Sequence, residues 1–219
     1  MAIAATHTVS EQQFFDLLDK LEHFGLSRHL IEYADGVLIP THGDSPFSAE
    51  MLHLLLETDI EEPVYEKLPM PRSHHVKIIG NIHFQLRKLV EENELPFQVF
   101  PDGLHIFIRP EKYYVPDVTL ASAEYTLNQH DQLTDPLAIF EVASPSTARK
   151  DQSEKLRAYT SIESLQTYVL VSQEEQLVER YLRDSDGWKF SYFMAEEDSV
   201  SLGQVPISLK INDLYKGVK

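Results

Sequence analysis

The chain has no cysteine. Disulfides, thiolate zinc sites and a cysteine nucleophile are thereby excluded, and a reducing, cytoplasmic setting is the default expectation. Glycine is scarce, 8 among 219 residues, which leaves hardly enough material for a glycine-rich phosphate loop. No G-x-S-x-G elbow supports a nucleophilic serine. The ten histidines nowhere form an H-E-x-x-H pair or a similar zinc spacing. No apolar run approaches membrane-spanning length, and "MAIAATHTVSEQQ" lacks the basic start and long apolar core of a signal peptide. No membrane partner is expected. The last shortage is positive charge: 19 Lys and Arg stand against 35 Asp and Glu, a formal −16. Such a surface argues against tight, non-specific binding to nucleic acid. It leaves room for a local positive groove, or for metal ions that bridge acid to phosphate.

What is present is an ordinary globular composition, 42% hydrophobic and 25% charged, in a chain long enough for one generous domain or a domain plus an arm. "SEQQFFDLLDKLEHFG" predicts an amphipathic helix with Ser10 as N-cap, a stripe of Phe14, Leu17, Leu18 and Leu21, and Gly25 as stop. "LIEYADGVLIP" predicts a short strand or hairpin, and "SAEMLHLLLETD" a second helix. The acidic, proline-bearing "TDIEEPVYEKLPMPRSHH" is the candidate junction between an N-terminal helical arm, residues 1–60, and a main body, residues 61–219. The body opens on a strong helix in which His75, Ile79, Ile82, Leu86 and Val90 recur on one face. Strands "PFQVF", "GLHIFIRP", "YYVPDVTLAS" and "LAIFEVAS" follow. Then come a helix from "STARKDQSEKLRAYTSI" and strands "QTYVLVS", "QLVERYLR" and "WKFSYFM". This order predicts an α/β fold with a central mixed sheet flanked by helices.

One strand poses a chemical question. Of the seven residues from Leu137 to Ala143, six are apolar and the seventh is Glu141. A run this apolar predicts burial on both faces, where a lone ionised carboxylate would cost several kcal/mol or more. The preceding strand likewise carries one carboxylate, Asp117, in an uncharged setting. Two such strands side by side either share a proton or hold a divalent cation, and a backbone carbonyl such as that of Val142 would add a hard oxygen ligand. Downstream, Asp151 and Lys155 are spaced i, i+4, with Tyr159 and Ile162 continuing the stripe inward. Lys155 could orient a water or stabilise charge developing on a phosphate.

"PD" on one strand, an "E-V-x-S-P-S" strand end two dozen residues on, and "D-x-x-x-K" in the next helix resemble the PD-(D/E)XK restriction-endonuclease-like superfamily. Within it, "YEKLPMPRSHH", "VPDVTL", "FEVASPSTARKDQSEKLRAY" and "TYVLVS" are most similar to the Uma-type endonucleases of bacteria, long catalogued as a domain of unknown function. The resemblance runs from about Tyr65 to Leu214, and "EYADGVL" resembles the hairpin that opens this branch. It implies a restriction-endonuclease-like core and metal-dependent hydrolysis of DNA by an endonuclease, with Mg²⁺ or Mn²⁺ held by Asp117, Glu141 and Val142. The superfamily's usual lysine position is Ala143 here, and the resemblance assigns its role to Lys155. His75 and Glu66 match polar positions that line such sites, and the pairing of related nucleases to cut two strands extends the expectation to a homodimer. Each residue also has a plainer reading: Glu141 paired structurally with Lys155 or Arg149, His75 a half-buried core histidine, Asp117 an ordinary Pro-Asp strand entry. The alternative for the whole chain is a catalytically inactive relative that keeps the fold as a binding or oligomerisation module. A basic rim of Lys77, Arg149, Lys150 and Arg157 near Glu141 would favour the nuclease.

Overall fold

The computed structural model describes residues 8–43, 45–57, 72–143 and 151–218, without the side chain of Asp151. Chain order begins with α1 (Glu11–His23), β1 (Ile31–Ala34), β2 (Val37–Pro40), α2 (Ala49–Glu57) and α3 (Ser73–Glu92). Strands β3 (Phe97–Pro101), β4 (Ile106–Arg109), β5 (Lys112–Tyr114), β6 (Val118–Ser122) and β7 (Pro136–Ala143) follow. A wide π-type turn (Asp151–Lys155) leads into α4 (Leu156–Thr160), then β8 (Thr167–Ser172), β9 (Val178–Asp184) and β10 (Gly187–Phe193). A small ribbon of β11 (Ser199–Ser201) and β12 (Ser208–Lys210) precedes the last turn of helix, α5 (Ile211–Leu214).

The central sheet has six strands in the order β10-β9-β8-β7-β6-β3. It is mixed, as expected: β7 and β8 run parallel, and the other pairs are antiparallel. The parallel pair needs a crossover, which the π-type turn and α4 help to supply. Strand β7 is buried on both faces. Phe140 and Val142 pack with Ile78, Ile82 and Leu86 of α3, while Ile139 packs with Tyr159 and Tyr168 on the other side. The buried stripe of α3 is His75, Ile78, Ile82, Leu86 and Val90, with Ile79 only half-buried beside it.

A second sheet, of four strands, has the order β2-β1-β5-β4. The expected helix α1 carries a full capping box, in which the Ser10 hydroxyl accepts from the Gln13 N–H and the Gln13 side chain accepts from the Ser10 N–H. Its buried stripe, Phe14, Leu17, Leu18 and Leu21, covers the four-stranded sheet, with Phe14 stacked on Tyr33 and Tyr113. The hairpin β1–β2 turns at Asp35 and Gly36, both at positive φ (52° and 84°), which is the Asp-Gly signature of a two-residue turn. The boundary expected near residue 60 falls in 58–71, outside the described residues. Strands on either side of it share a sheet, since β1 pairs with β5.

One reading changes. "YYVPDVTLAS" is not a single strand: β5 belongs to the four-stranded sheet and β6 to the six-stranded one. Between them Val115-Pro116-Asp117 carries the chain across, and Pro116 has no N–H to extend either ladder.

Candidate active site

The crossing from one sheet to the other is where the polar groups collect. Glu32 (0% exposed), Lys155 (3%), Asp117 (4%) and Glu141 (4%) are all withdrawn from water, together with His75. Charges this deep persist only with partners.

Glu141 finds its partners on the turn and helix that follow β7. Its Oε1 accepts from Lys155 Nζ at 2.8 Å and from the Tyr159 hydroxyl at 3.0 Å. Lys155 and Tyr159 are four residues apart, so one helical face delivers both. Burial, then the negative charge of Glu141 and Glu32, pushes the Tyr159 phenol well up, which keeps it a donor. The same Lys155 Nζ also reaches Glu32 Oε1 at 2.9 Å, and that oxygen accepts the Val115 N–H at 3.1 Å. Glu32 points here because β1 alternates: Ile31 and Tyr33 face the aromatic core under α1, and Glu32 faces the other way.

Asp117 lies just before β6. Continuing the Val118–Phe140 pairing by one residue sets it opposite Glu141, on the same face of the sheet. Its Oδ2 accepts the Val142 N–H at 2.5 Å, and its Oδ1 lies 3.1 Å from His75 Nε2. Burial alone would raise the Asp117 carboxyl, but His75, the Val142 N–H and the positive charge of Lys155 together hold it below the ordinary range. Burial likewise opposes charge on His75, and the bond to Asp117 reverses that and raises it. Asp102 is pushed up to about 6 by burial and by the charge of Asp117. His42, in the turn after β2, is lowered chiefly by burial, and it feels Asp117, His75, Lys155 and Glu32. The cluster therefore forms one electrostatic unit.

Among the described residues three carboxylates, Glu32, Asp117 and Glu141, face one lysine, an excess of negative charge even with His75 protonated. That surplus suits a divalent cation. The donors fit as well: one ring nitrogen each of His42 and His75 and a carboxylate oxygen of Asp117 lie within 4.8 Å of one another. Glu141 is not in that trio. In β geometry the N–H and C=O of one residue point the same way, so the Val142 carbonyl faces the Asp117 side with its N–H.

Of the residues expected from the sequence, Asp117, Glu141, Val142, Lys155 and His75 meet here. Glu66, Arg149 and Lys150 lie outside the described residues. Lys77 is exposed and donates to the Gly217 carbonyl at 3.1 Å. Two site residues were not assigned from the sequence. Glu32 had the same signal as Glu141, a single carboxylate in an apolar strand, within the very hairpin whose resemblance was noted. His42 has no local signal at all.

Comparison with known proteins follows the same outline. A family model named Uma2 and described as "Putative restriction endonuclease" matches residues 56–212. An uncharacterized protein of Synechocystis sp., sll1609, is 28% identical over 159 residues, 67% of this chain and 90% of its own length. A second from the same organism, slr1290, is 29% identical over 112 residues, 51% of this chain and 58% of its own length. Among solved structures, a chain from Anabaena variabilis titled "putative nuclease belonging to DUF820" superposes with a TM-score of 0.60. It is 17% identical and covers 90% of this chain and 96% of itself, a likeness of fold.

Proposed function

Since the chain belongs to the Uma2 family of putative restriction endonucleases, we propose that it is a metal-dependent nuclease hydrolysing phosphodiester bonds of DNA. The observation that carries the reading is Lys155, a buried cation held between Glu141 and Glu32 beside the ionised Asp117. Among the described residues the carboxylates around Lys155 outnumber its single charge, a balance that a bound cation would restore.

Mg²⁺ or Mn²⁺ held by Asp117, with Glu141 and the Val142 carbonyl as neighbouring oxygen donors, would lower the pKa of a water and neutralise phosphate charge. The protein's own groups do the rest. Asp117 is kept ionised and oriented by the Val142 N–H and by His75. Glu141 and Glu32 fix the Lys155 ammonium, which offers its charge to the phosphoryl oxygens as they become more negative. Tyr159 donates to Glu141 and so keeps that carboxylate aimed at Lys155. Burial of the cluster strengthens each of these interactions relative to water.

A catalytically silent binding module is the competing reading, and the formal charge of −16 speaks for it by opposing a duplex over most of the surface. Incubation with supercoiled plasmid and Mn²⁺ separates the two. The nuclease reading expects nicked and then linear DNA with the wild type, none in excess chelator, and none with a folded Asp117→Asn variant. Intact plasmid across all divalent ions would favour the module.

A further inference from the structure

We infer that His42 is a metal ligand, and that with His75 and Asp117 it makes a nitrogen-rich centre that takes a first-row transition ion in preference to Mg²⁺. This rests on the reading of the cluster as a metal site and goes beyond it in naming His42 and the class of ion. The oxygen set expected from the sequence, Asp117, Glu141 and a carbonyl, is a Mg²⁺ set. The three ligand atoms that the fold brings together are two imidazole nitrogens and one carboxylate oxygen. Imidazole suits the later first-row ions, and Mg²⁺ gains little from it.

The geometry supports a shared ion. Two ligand atoms each about 2.1 Å from one metal, at angles between square and tetrahedral, stand about 3.0–3.4 Å apart. His75 Nε2 and Asp117 Oδ1 are 3.1 Å apart already, and an ion bound between them replaces the ring proton that otherwise joins them. The His42 and His75 rings meet edge to face with centroids 5.2 Å apart and planes at 83°. That spacing is compatible with two imidazoles sharing one ion, and the His42 ligand nitrogen lies within 4.8 Å of the ligand atoms of His75 and Asp117.

His42 is also held in place. It sits in a turn closed by the Gly43 N–H on the Pro40 carbonyl at 2.9 Å, and the preceding Thr41 N–H donates to the Leu30 carbonyl at 3.0 Å. The hairpin that carries Glu32 to Lys155 therefore also carries His42 to His75. His42 is only half-buried, so the trio meets solvent at His42.

The test uses Co²⁺ as a coloured probe. Co²⁺ is titrated into wild type, His42→Ala and Asp117→Asn, following visible absorption and heat, and then challenged with Mg²⁺. The inference expects one tightly bound Co²⁺ per wild-type chain that a hundredfold excess of Mg²⁺ does not displace. It expects at least about tenfold weaker Co²⁺ binding in His42→Ala, the lower end of what losing even an outer-shell partner costs, with Mg²⁺ binding unchanged. His42→Asn replaces the alanine variant if the latter melts below wild type. Wild-type colour and affinity in the His42 variant, with loss in Asp117→Asn, would overturn the role of His42 and leave the metal centre standing. Ready displacement by equimolar Mg²⁺ would overturn the ion class. Failure of the wild type to bind either ion would overturn both this inference and the metal-site reading.

Discussion

At the scale of single residues, Lys155 decides the behaviour of the site. Its Nζ compensates two buried carboxylates at once, so removing it leaves both without that positive charge. Breaking a buried pair from one side costs about 3–5 kcal/mol. Lys155→Met is expected to lose that much in urea unfolding, and Glu32→Gln added to it should restore part of the loss. Strict additivity of the two changes would show that Glu32 and Lys155 do not interact. His105 gives a separate, pH-dependent signature. Burial is the main reason its pKa falls from 6.5 to about 4, although its Nε2–H donates to the Ile31 carbonyl at 2.9 Å. Below pH 6.5 the unfolded chain takes up a proton that the folded chain refuses until about pH 4. Stability should therefore hold above pH 6.5 and fall by about 3 kcal/mol as pH drops through that window. His105→Gln, which keeps the donor, should flatten this part of the urea-midpoint profile. At this scale Glu141 was legible because one acid in an apolar strand is a local anomaly, and Lys155 because its spacing and the family likeness both pointed to it. His42 was not legible, since its partners are set by pairings remote in sequence.

At the scale of elements, the β1–β2 hairpin matters most for function. It delivers Glu32 on one strand and His42 at its exit, and its register depends on the Asp35-Gly36 turn. Gly36 sits at φ 84°, a conformation that costs an L-residue about 1–2 kcal/mol. Gly36→Ala should lower the unfolding free energy by about that amount, read from denaturant melts. An unchanged midpoint would mean that the turn tolerates another geometry. Helix α1, this hairpin and strand β7 were readable because cap, turn and apolar period are local signals. The break between β5 and β6 was not. The largely apolar pattern continues on both sides of Pro116-Asp117 in "YYVPDVTLAS", and only Pro116 hints that the two halves join different sheets. The turn that presents Lys155 is another such case: an i, i+4 spacing fits a regular helix, and the winding at Asp151–Lys155 is the wider π type.

At the scale of the whole molecule, the site is the seam between two sheets. The six-stranded sheet contributes Glu141 and the Val142 N–H, the four-stranded sheet contributes Glu32, and the linking Val115-Pro116-Asp117 contributes Asp117. Helix α3 adds His75, and the crossover between β7 and β8 adds Lys155 and Tyr159. The mixed sheet and its flanking helices were legible from element order. The seam was not, because it depends on β1 pairing with β5 across about eighty residues. A surface this acidic leaves the chemistry to depend on the charge arranged inside the seam. The most direct test is single-turnover cleavage of an end-labelled duplex in Mn²⁺ by wild type and by Lys155→Met, each shown to be folded at the assay temperature. Wild type should cut the strand, and the variant should lose about a hundredfold or more in rate, as for removal of a preorganised charge at a reacting centre. Cleavage at the wild-type rate by the folded variant would contradict the role given to Lys155.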